Sequence, residues 1–160
     1  MRVLPVPCLR DNYAYLVEGS RAGEAVVVDP SEAPPVLAAL EREGLKLVGV
    51  WATHHHFDHV GGVADLKRAV EGVPVVAYEG DRERIEGATE LVPAGASFEA
   101  LGLRVRVLHI PGHTLGAVAY VVTEGGGPPH VFTGDTLFGG GPGATGRSYS
   151  DEPTILESIR

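Results

Sequence analysis

The segment THHHFDH, residues 53–59, concentrates four imidazoles and one carboxylate in seven positions. It lies between an apolar run at residues 50–52 and a glycine pair at residues 61 and 62. An expression tag would lie at a terminus, whereas this cluster is internal. Imidazole nitrogens and carboxylate oxygens suit zinc, and also iron or manganese. The segment therefore predicts a metal site.

The spacing within this segment predicts how its side chains are presented. Alternate side chains of an extended segment point in the same direction, so His54 and His56 would present their imidazoles side by side. Asp58 and His59 follow as the chain turns into a helix that starts at the glycine pair. Two pairs of ligands would then face neighbouring points, His54 with His56 and Asp58 with His59. His55 points elsewhere, and we expect a structural role for it.

Two further ligand candidates follow predicted strands later in the chain. Four ligands from one short loop cannot surround two metals, so others have to come from elsewhere. His113 lies in a tight Pro-Gly turn after one strand, and Asp135 follows another in a Gly-Asp pair. Loops held by strand ends commonly carry site residues. The two oxygens of Asp135 could contact both metals, as sites with metals about 3.5–4 Å apart require. We expect His109 and His130 to be structural.

Short apolar runs separated by glycine and proline predict alternating strands and helices. Predicted strands cover residues 13–17, 25–28, 45–52, 74–78, 101–110, 117–122 and 130–133. Predicted helices cover residues 31–43, 62–70 and 153–160, the first of them capped by Ser31 and ended by Gly44. Strand 101–110 alternates apolar residues with arginines, and His109 falls on its apolar face. The pattern predicts a mixed α/β layered domain.

Length and composition narrow the class of protein. The 160 residues suffice for one domain, over residues 1–160. No apolar run reaches the roughly 18 residues of a membrane span, and the N-terminus does not resemble a secretion signal, so we expect a cytoplasmic protein without membrane contact. The net charge is −8 and no basic stripe is present, which argues against a nucleic-acid partner. The single cysteine, Cys8, excludes a disulfide within the chain.

The order of the candidate ligands resembles the motifs of the metallo-β-lactamase superfamily. The first motif of that family is His-x-His-x-Asp-His, which matches residues 54–59, and His113 and Asp135 follow in the right order. Metallo-β-lactamases of the commonest class have arginine where this chain has His59, so that activity is not expected. A narrower resemblance, from about residue 6 to residue 141, is to glyoxalase II, the hydroxyacylglutathione hydrolases. It rests on VPCLRDNYAYLV (6–17), VVVDPSEAPPVLAALEREGLKLVGVWATHHHFDHVGG (26–62), VLHIPGHTLGAVAYVV (107–122) and VFTGDTLFGGG (131–141).

The resemblance implies a fold and an assignment of ligands. The fold would be the four-layer αβ/βα sandwich, with the site at one edge of two packed sheets. One metal would be held by His54, His56 and His113. The second would be held by Asp58 and His59, and Asp135 would bridge the two metals. Zinc is the expected metal, with iron or manganese as alternatives.

Two departures from the family pattern affect these expectations. The family has Cys-Gly-Arg after the glycine pair, where this chain has Pro142-Gly143-Ala144, and we expect Arg147 to take over substrate binding. The family also supplies a downstream histidine to the second metal and then a helical segment that grips glutathione. This chain ends at Arg160 without either, so we expect the C-terminal part of the fold to be missing and the second metal site to be incomplete.

The predicted site favours hydrolysis of a reactive acyl compound. A metal lowers the pKa of bound water to near 7, and Asp58 or Asp135 could orient the resulting hydroxide. A thiolate leaves without a proton donor because the pKa of its conjugate acid is about 8.5. We therefore expect a small-molecule thioester substrate, glutathione-linked if the resemblance holds. The alternatives are a mononuclear-iron persulfide dioxygenase and a non-catalytic metal-binding domain that is completed by another chain; a homo-oligomer is also open.

Overall fold

The computed structural model describes residues 1–147 and 149–160. The strands are β1 Arg2–Cys8, β2 Asn12–Glu18, β3 Glu24–Val28, β4 Lys46–Trp51, β5 Val75–Tyr78, β6 Glu90–Val92, β7 Ser97–Ala100, β8 Leu103–His109, β9 Val118–Thr123, β10 His130–Phe132, β11 Leu137–Phe138 and β12 Gly141–Pro142. The helices are α1 Ala33–Glu43, α2 Phe57–Val60, α3 Val63–Ala69 and α4 Glu152–Ile159, and a short 3₁₀ turn covers Glu79–Asp81.

Two sheets form the centre of the domain. The first has the order β1-β2-β3-β4-β5-β6, antiparallel from β1 to β3 and parallel from β3 to β6. The second is antiparallel with the order β10-β9-β8-β7, and β11 and β12 form a separate hairpin. Because β3 and β4 run parallel with Val28 opposite Trp51, the residues that follow both strands emerge at the same edge.

The apolar core is divided into two layers by the first sheet. One layer packs α1 and α3 against that sheet, with Val36 and Leu66 fully buried. The other fills the space between the two sheets, where Trp51 and Tyr120 are the largest buried side chains. The Tyr120 hydroxyl donates to the carbonyl oxygen of Ala52 at 2.8 Å, which fixes the end of β4 just before the histidine cluster.

The two facing sheets, with helices on the outer side of the first, agree with the αβ/βα sandwich that the resemblance implied, and helix α4 lies beside β12 and the loop that follows β8. Its N-cap Asp151 accepts a hydrogen bond from the backbone N–H of Thr154 at 2.8 Å. The N–H of Asp151 in turn donates to the carbonyl oxygen of Gly112 at 2.9 Å, and Ile155 is fully buried beside Gly112. The helix is therefore tied to the loop that follows β8. Within the described residues, no helix is both long and apolar enough to cross a membrane.

Several predicted elements need correction. Ser31 does not cap α1: the helix begins at Ala33, and the Ser31 hydroxyl donates instead to the carbonyl oxygen of Asp58 at 2.5 Å. The strand predicted from Leu101 begins at residue 103, because Leu101 has a φ of 57° and forms the turn after β7. The sequence pattern does not predict strands β1, β6, β7, β11 and β12 or the short helix α2. The prolines of β1 argue against a strand, yet they are tolerated because β1 is an edge strand.

His109 is also placed differently from the prediction. It was expected on the apolar face of its strand, but it is exposed at the end of β8. Its ring stacks on Tyr78, with ring centroids 4.9 Å apart, and its Nε2 donates to the carbonyl oxygen of Leu115 at 2.8 Å. These contacts agree with the structural role that was expected for it.

Candidate metal centre

The residues predicted as metal ligands meet at one edge of the two sheets. The end of β4 leads directly into the cluster, α2 carries Asp58 and His59, and the loops after β8 and β10 bring His113 and Asp135. Three sets of side chains have ligand atoms within 4.8 Å of one another, and one of them joins Asp29 to His54 and His59. The other two are groups of predicted ligands: His54, His56, His113 and Asp135 in the first, and Asp58, His59 and Asp135 in the second. Asp135 belongs to both groups, the geometry expected of a bridging carboxylate.

The inward-facing nitrogens of the cluster lack ordinary partners. The Nε2 of His54 is buried without a hydrogen bond. The Nε2 of His113 lies 3.0 Å from the Nδ1 of His56 and 3.4 Å from Oδ2 of Asp135. The Nε2 of His59 lies 2.9 Å from Oδ1 of Asp135. Buried polar atoms without partners are rare in folded proteins, and a cation bound at this point would satisfy them. The donor set therefore fits a metal ion.

The hydrogen-bond partners of the outward-facing nitrogens determine which nitrogen of each ring carries the proton. Asp29 is the most important of these partners. Its carboxylate accepts from the Thr53 N–H at 2.7 Å, from the Thr53 hydroxyl at 2.6 Å and from the Nδ1 of His59 at 2.9 Å. The Thr53 hydroxyl has one proton, which it donates to Asp29, so it accepts from the Nδ1 of His54 at 3.0 Å. In their neutral forms, both rings therefore have an unprotonated Nε2 facing the centre.

His113 is oriented in the same way by the backbone. Its Nδ1 lies 2.7 Å from the carbonyl oxygen of Ala144, which only accepts. The proton is thus on Nδ1 and the Nε2 lone pair faces the centre. Such outer partners of metal-binding histidines fix both the tautomer and the ring direction. The Nε2 of His56, in contrast, faces the hydroxyl of Tyr149 at 3.0 Å.

The electrostatics of the cluster favour neutral imidazoles around one positive charge. Burial lowers the pKa of His54 well below its usual value, and the neighbouring imidazoles lower it further. Burial and His113 also lower the pKa of His56. For His59 burial acts in the same direction, but the carboxylates of Asp135 and Asp29 prevail and raise its pKa to about 10. In a metal-free chain a proton supplies the positive charge that these two carboxylates stabilise.

Asp58 is held at the front of the site by its backbone. The Nδ2 of Asn12 donates to the Asp58 carbonyl oxygen at 2.8 Å and approaches its Oδ2 at 3.2 Å. The Ser31 hydroxyl contacts the same carbonyl oxygen. The Asp58 side chain is 45% exposed, so one carboxylate of the candidate ligand set stays open to solvent.

Two cavities flank the cluster. The smaller, about 410 Å³, is lined by ligand candidates together with Phe57, Arg147 and Ser150. The larger, about 710 Å³, lies beside His59 and Asp135 and is lined both by polar side chains such as Asn12 and by apolar ones such as Phe138. Arg147 thus shares a cavity with the candidate ligands, and its contact with a substrate stays a prediction.

His55 lies outside both ligand groups. Its Nδ1 lies 3.2 Å from Oδ2 of Asp81, a fully buried carboxylate that Arg84 also contacts at 3.3 Å. This contact fits the structural role expected for His55.

Sequence reasoning missed residues that orient the candidate ligands. The sequence could have indicated Asp29, because this residue follows β3 and the strand beside β3 ends at the histidine cluster. No local sequence pattern indicates Asn12 or Tyr149, because these residues reach the site only through the folding of distant loops.

Comparisons with known proteins agree with this architecture. Residues 9–158 match the family described as the metallo-beta-lactamase superfamily. A hydroxyacylglutathione hydrolase from Synechococcus sp. (strain ATCC 27144 / PCC 6301 / SAUG 1402/1) is 44% identical over 100% of this chain and 62% of its own length. One from Gloeobacter violaceus (strain ATCC 29082 / PCC 7421) is 48% identical over 89% of this chain and 56% of its own length. The chain thus spans about three fifths of the length of these relatives.

Solved structures share the fold. The BLEG-1 B3 metallo-beta-lactamase superposes with a TM-score of 0.84 at 26% identity, over 99% of this chain and 83% of that one. ETHE1 from Myxococcus xanthus gives 0.79 at 26% identity, over 99% and 68%. TTHA1623, solved in a di-iron-bound form, gives 0.76 at 32% identity, over 98% and 84%.

The fold and the sequence match together define the class: the chain belongs to the metallo-beta-lactamase superfamily. Within that superfamily it is similar to the hydroxyacylglutathione hydrolases, as the sequence motifs predicted. Its histidine and aspartate groups suit a metal ion, in keeping with that family.

Gly134 provides a test of the geometry around His54. It has a φ of 51°, and a Cβ there would lie 2.4 Å from the Thr53 hydroxyl and 3.2 Å from the His54 Nδ1. We expect Gly134→Ala to displace Thr53 and to weaken zinc binding at least about tenfold, as loss of an outer hydrogen bond does in metal sites. Zinc affinity is measured by competition with a chelator.

Gly125→Ala is the matched control. Gly125 has a φ of 54°, but a Cβ there would meet nothing within 4 Å. Both substitutions should lower the free energy of unfolding by about 1–2 kcal/mol through the left-handed backbone. Equal zinc affinity in the two variants would contradict the role assigned to Thr53.

Proposed function

We propose that this chain is a metal-dependent hydrolase of small-molecule thioesters, of the glyoxalase II type. The observation that carries the proposal is the set of imidazoles whose Nδ1 atoms face Asp29, Thr53 or a backbone carbonyl, so that their Nε2 atoms converge beside Asp135. This arrangement orients the rings before any ion binds. The relatives named hydroxyacylglutathione hydrolase support the type of reaction.

The proposed ligand assignment follows the two groups of donor atoms. His54, His56 and His113 with Asp135 would hold one ion, and Asp58 and His59 with the same carboxylate would hold a second; these residues share the edge where the sheets meet. Zinc suits the nitrogen and oxygen donors, as do iron and manganese. Such an ion, when bound, lowers the pKa of a coordinated water to near 7 and polarises an acyl carbonyl.

The two aspartates are suited to orienting a nucleophilic water. Burial by itself would raise the pKa of Asp135, but the hydrogen bond and charge of His59 hold it below its usual value. Asp135 therefore stays ionised and accepts hydrogen bonds. Asp58 offers a second carboxylate, fixed through its backbone by Asn12 and Ser31. Together they would direct the water towards a carbonyl carbon in the smaller cavity.

The smaller cavity supports the substrate class. Arg147 supplies a cation that would bind an anionic group of the substrate, such as the carboxylates of a glutathione moiety. Phe57, 78% exposed, presents an apolar surface at the same cavity. A thiolate leaves without protonation, so the reaction needs no acid beyond the residues already named. A cytoplasmic location and a homo-oligomer stay predictions.

Metal dependence and thiol release test the proposal together. With S-lactoylglutathione as substrate, we expect the zinc-loaded chain to release thiol, chelation to abolish the release, and zinc to restore it. His54→Ala should lower the rate about 100-fold or more, because it removes a ligand that is buried and fixed by Thr53. His109→Ala, an exposed histidine outside both ligand groups, is the control. A metal-loaded wild-type chain without turnover would reject the hydrolase proposal.

A second candidate is a mononuclear-iron persulfide dioxygenase. The group of His54, His56, His113 and Asp135 offers four donor residues by itself, whereas the other group offers three. ETHE1 from Myxococcus xanthus also shares the fold. Metal content separates the two functions. Two zinc ions per chain with thiol release favour the hydrolase, and one iron per chain with oxygen uptake on glutathione persulfide favours the dioxygenase.

Arg147 is tested by steady-state kinetics. We expect Arg147→Ala to raise the KM for S-lactoylglutathione about tenfold and to change kcat by less than about threefold, because it removes binding that ground state and transition state share. Arg147→Lys should recover part of the loss. The control is Arg106→Ala, an exposed arginine in the middle of β8. An unchanged KM in Arg147→Ala would show that this cation does not contact the substrate.

A further inference from the structure

Tyr149 differs in kind from the other groups that orient the candidate ligands. Three imidazoles have their proton position determined, by the Asp29 carboxylate, by a hydroxyl already committed to Asp29, or by a backbone carbonyl. The fourth, His56, faces the Tyr149 hydroxyl at 3.0 Å, and this hydroxyl can either donate or accept. The tautomer of His56 therefore depends on which role Tyr149 takes.

The Nδ1 of His56 is the nitrogen that faces the cluster. It lies 3.0 Å from the Nε2 of His113, whereas the Nε2 of His56 points out of the cluster towards Tyr149. A neutral imidazole carries one N–H. If that N–H is on Nε2 and donates to Tyr149, the Nδ1 lone pair is directed at the same point as the Nε2 lone pair of His113. The phenolic hydrogen then remains free to donate elsewhere.

The backbone around Tyr149 is anchored to the site. The hydroxyl of Ser150 accepts from the N–H groups of Gly146 and Arg147 at 2.9 and 2.8 Å, and the Ser150 N–H donates to the Arg147 carbonyl oxygen at 3.0 Å. The next residue, Asp151, is bonded to Gly112 in the turn that carries His113. The turn thus places the phenol relative to His113 as well as to His56.

We propose that Tyr149 is a positioning residue, which accepts the Nε2–H of His56 and so presents the unprotonated Nδ1 to a metal ion. The inference rests on the metal site of the proposed function. It adds a hydrogen-bonding residue to which neither the motifs nor the family resemblance assigned a role. Because Arg147 belongs to the same turn, this contact also joins the metal site to the candidate substrate-binding residue.

Tyr149→Phe removes only the hydroxyl and is the central variant. We expect its affinity for zinc, and for cobalt(II) as a spectroscopic substitute, to fall about 10- to 100-fold, the usual effect of losing an outer partner of a ligating histidine. Affinities are measured by chelator competition on the whole chain. The visible absorption bands of the cobalt(II) form should shift, because the direction of the His56 ring changes; a purely structural role would leave these bands unchanged.

Tyr78→Phe is the matched control, since Tyr78 stacks on His109 away from the cluster. Its metal affinity and cobalt(II) bands should equal those of the wild type. Metal-free Tyr149→Phe should melt within about 4 °C of the wild type, because one partly exposed hydrogen bond contributes only a small part of the stability. This measurement separates loss of the ligand direction from loss of the fold.

The outcomes distinguish this inference from the proposed function. If His56→Ala loses metal while Tyr149→Phe binds it as tightly as the wild type, or more tightly, the inference is overturned and the metal site stands. If the wild type itself binds neither zinc nor cobalt(II), the proposed function fails and the inference fails with it. Weakened binding in Tyr149→Phe alone, with shifted cobalt(II) bands, supports the inference.

Discussion

The carboxylate of Asp29 is the constraint on which the candidate metal centre depends. It is 4% exposed, and it receives three hydrogen bonds, two from Thr53 and one from His59. Through the Thr53 hydroxyl it also sets the proton of His54. One buried anion thereby directs two lone pairs to the centre. The parallel pairing of β3 with β4 makes this possible, because it brings the residues after both strands to one edge.

The cluster keeps the buried Nε2 of His54 unpaired, which costs folding free energy in a metal-free chain. The surrounding fold tolerates this cost because two hydrogen bonds fix the segment that follows β4. Tyr120 donates one to the carbonyl oxygen of Ala52, and Asp29 accepts the other from the N–H of Thr53. A metal that binds such an ordered set gains affinity because the ligands lose little further freedom on binding. Burial lowers the pKa of His54, so its imidazole stays neutral and its Nε2 lone pair is available to a metal ion.

Hydrolysis and oxygen chemistry place different demands on the same set of donors. The shared position of Asp135 suits two ions, whereas the four donors of the first group suffice for one. Among the structural relatives, one was solved in a di-iron-bound form and another is ETHE1. A shared fold therefore does not fix the reaction, and the site residues and their outer partners decide the chemistry.

The sequence by itself determined the family and the layered α/β fold, and it predicted the local ligand pairs, because these depend on motif spacing and on periodicity within single segments. Residues 54–59 show this most clearly. Only the tertiary structure decided that Asp29, Asn12 and Tyr149 orient those ligands, and that Ser31 contacts Asp58 instead of capping α1. The physical reason is that a hydrogen bond between residues 27 to 93 positions apart leaves no periodic trace in the chain. Such bonds arise from the packing of strand ends and loops, which the sequence pattern does not encode locally.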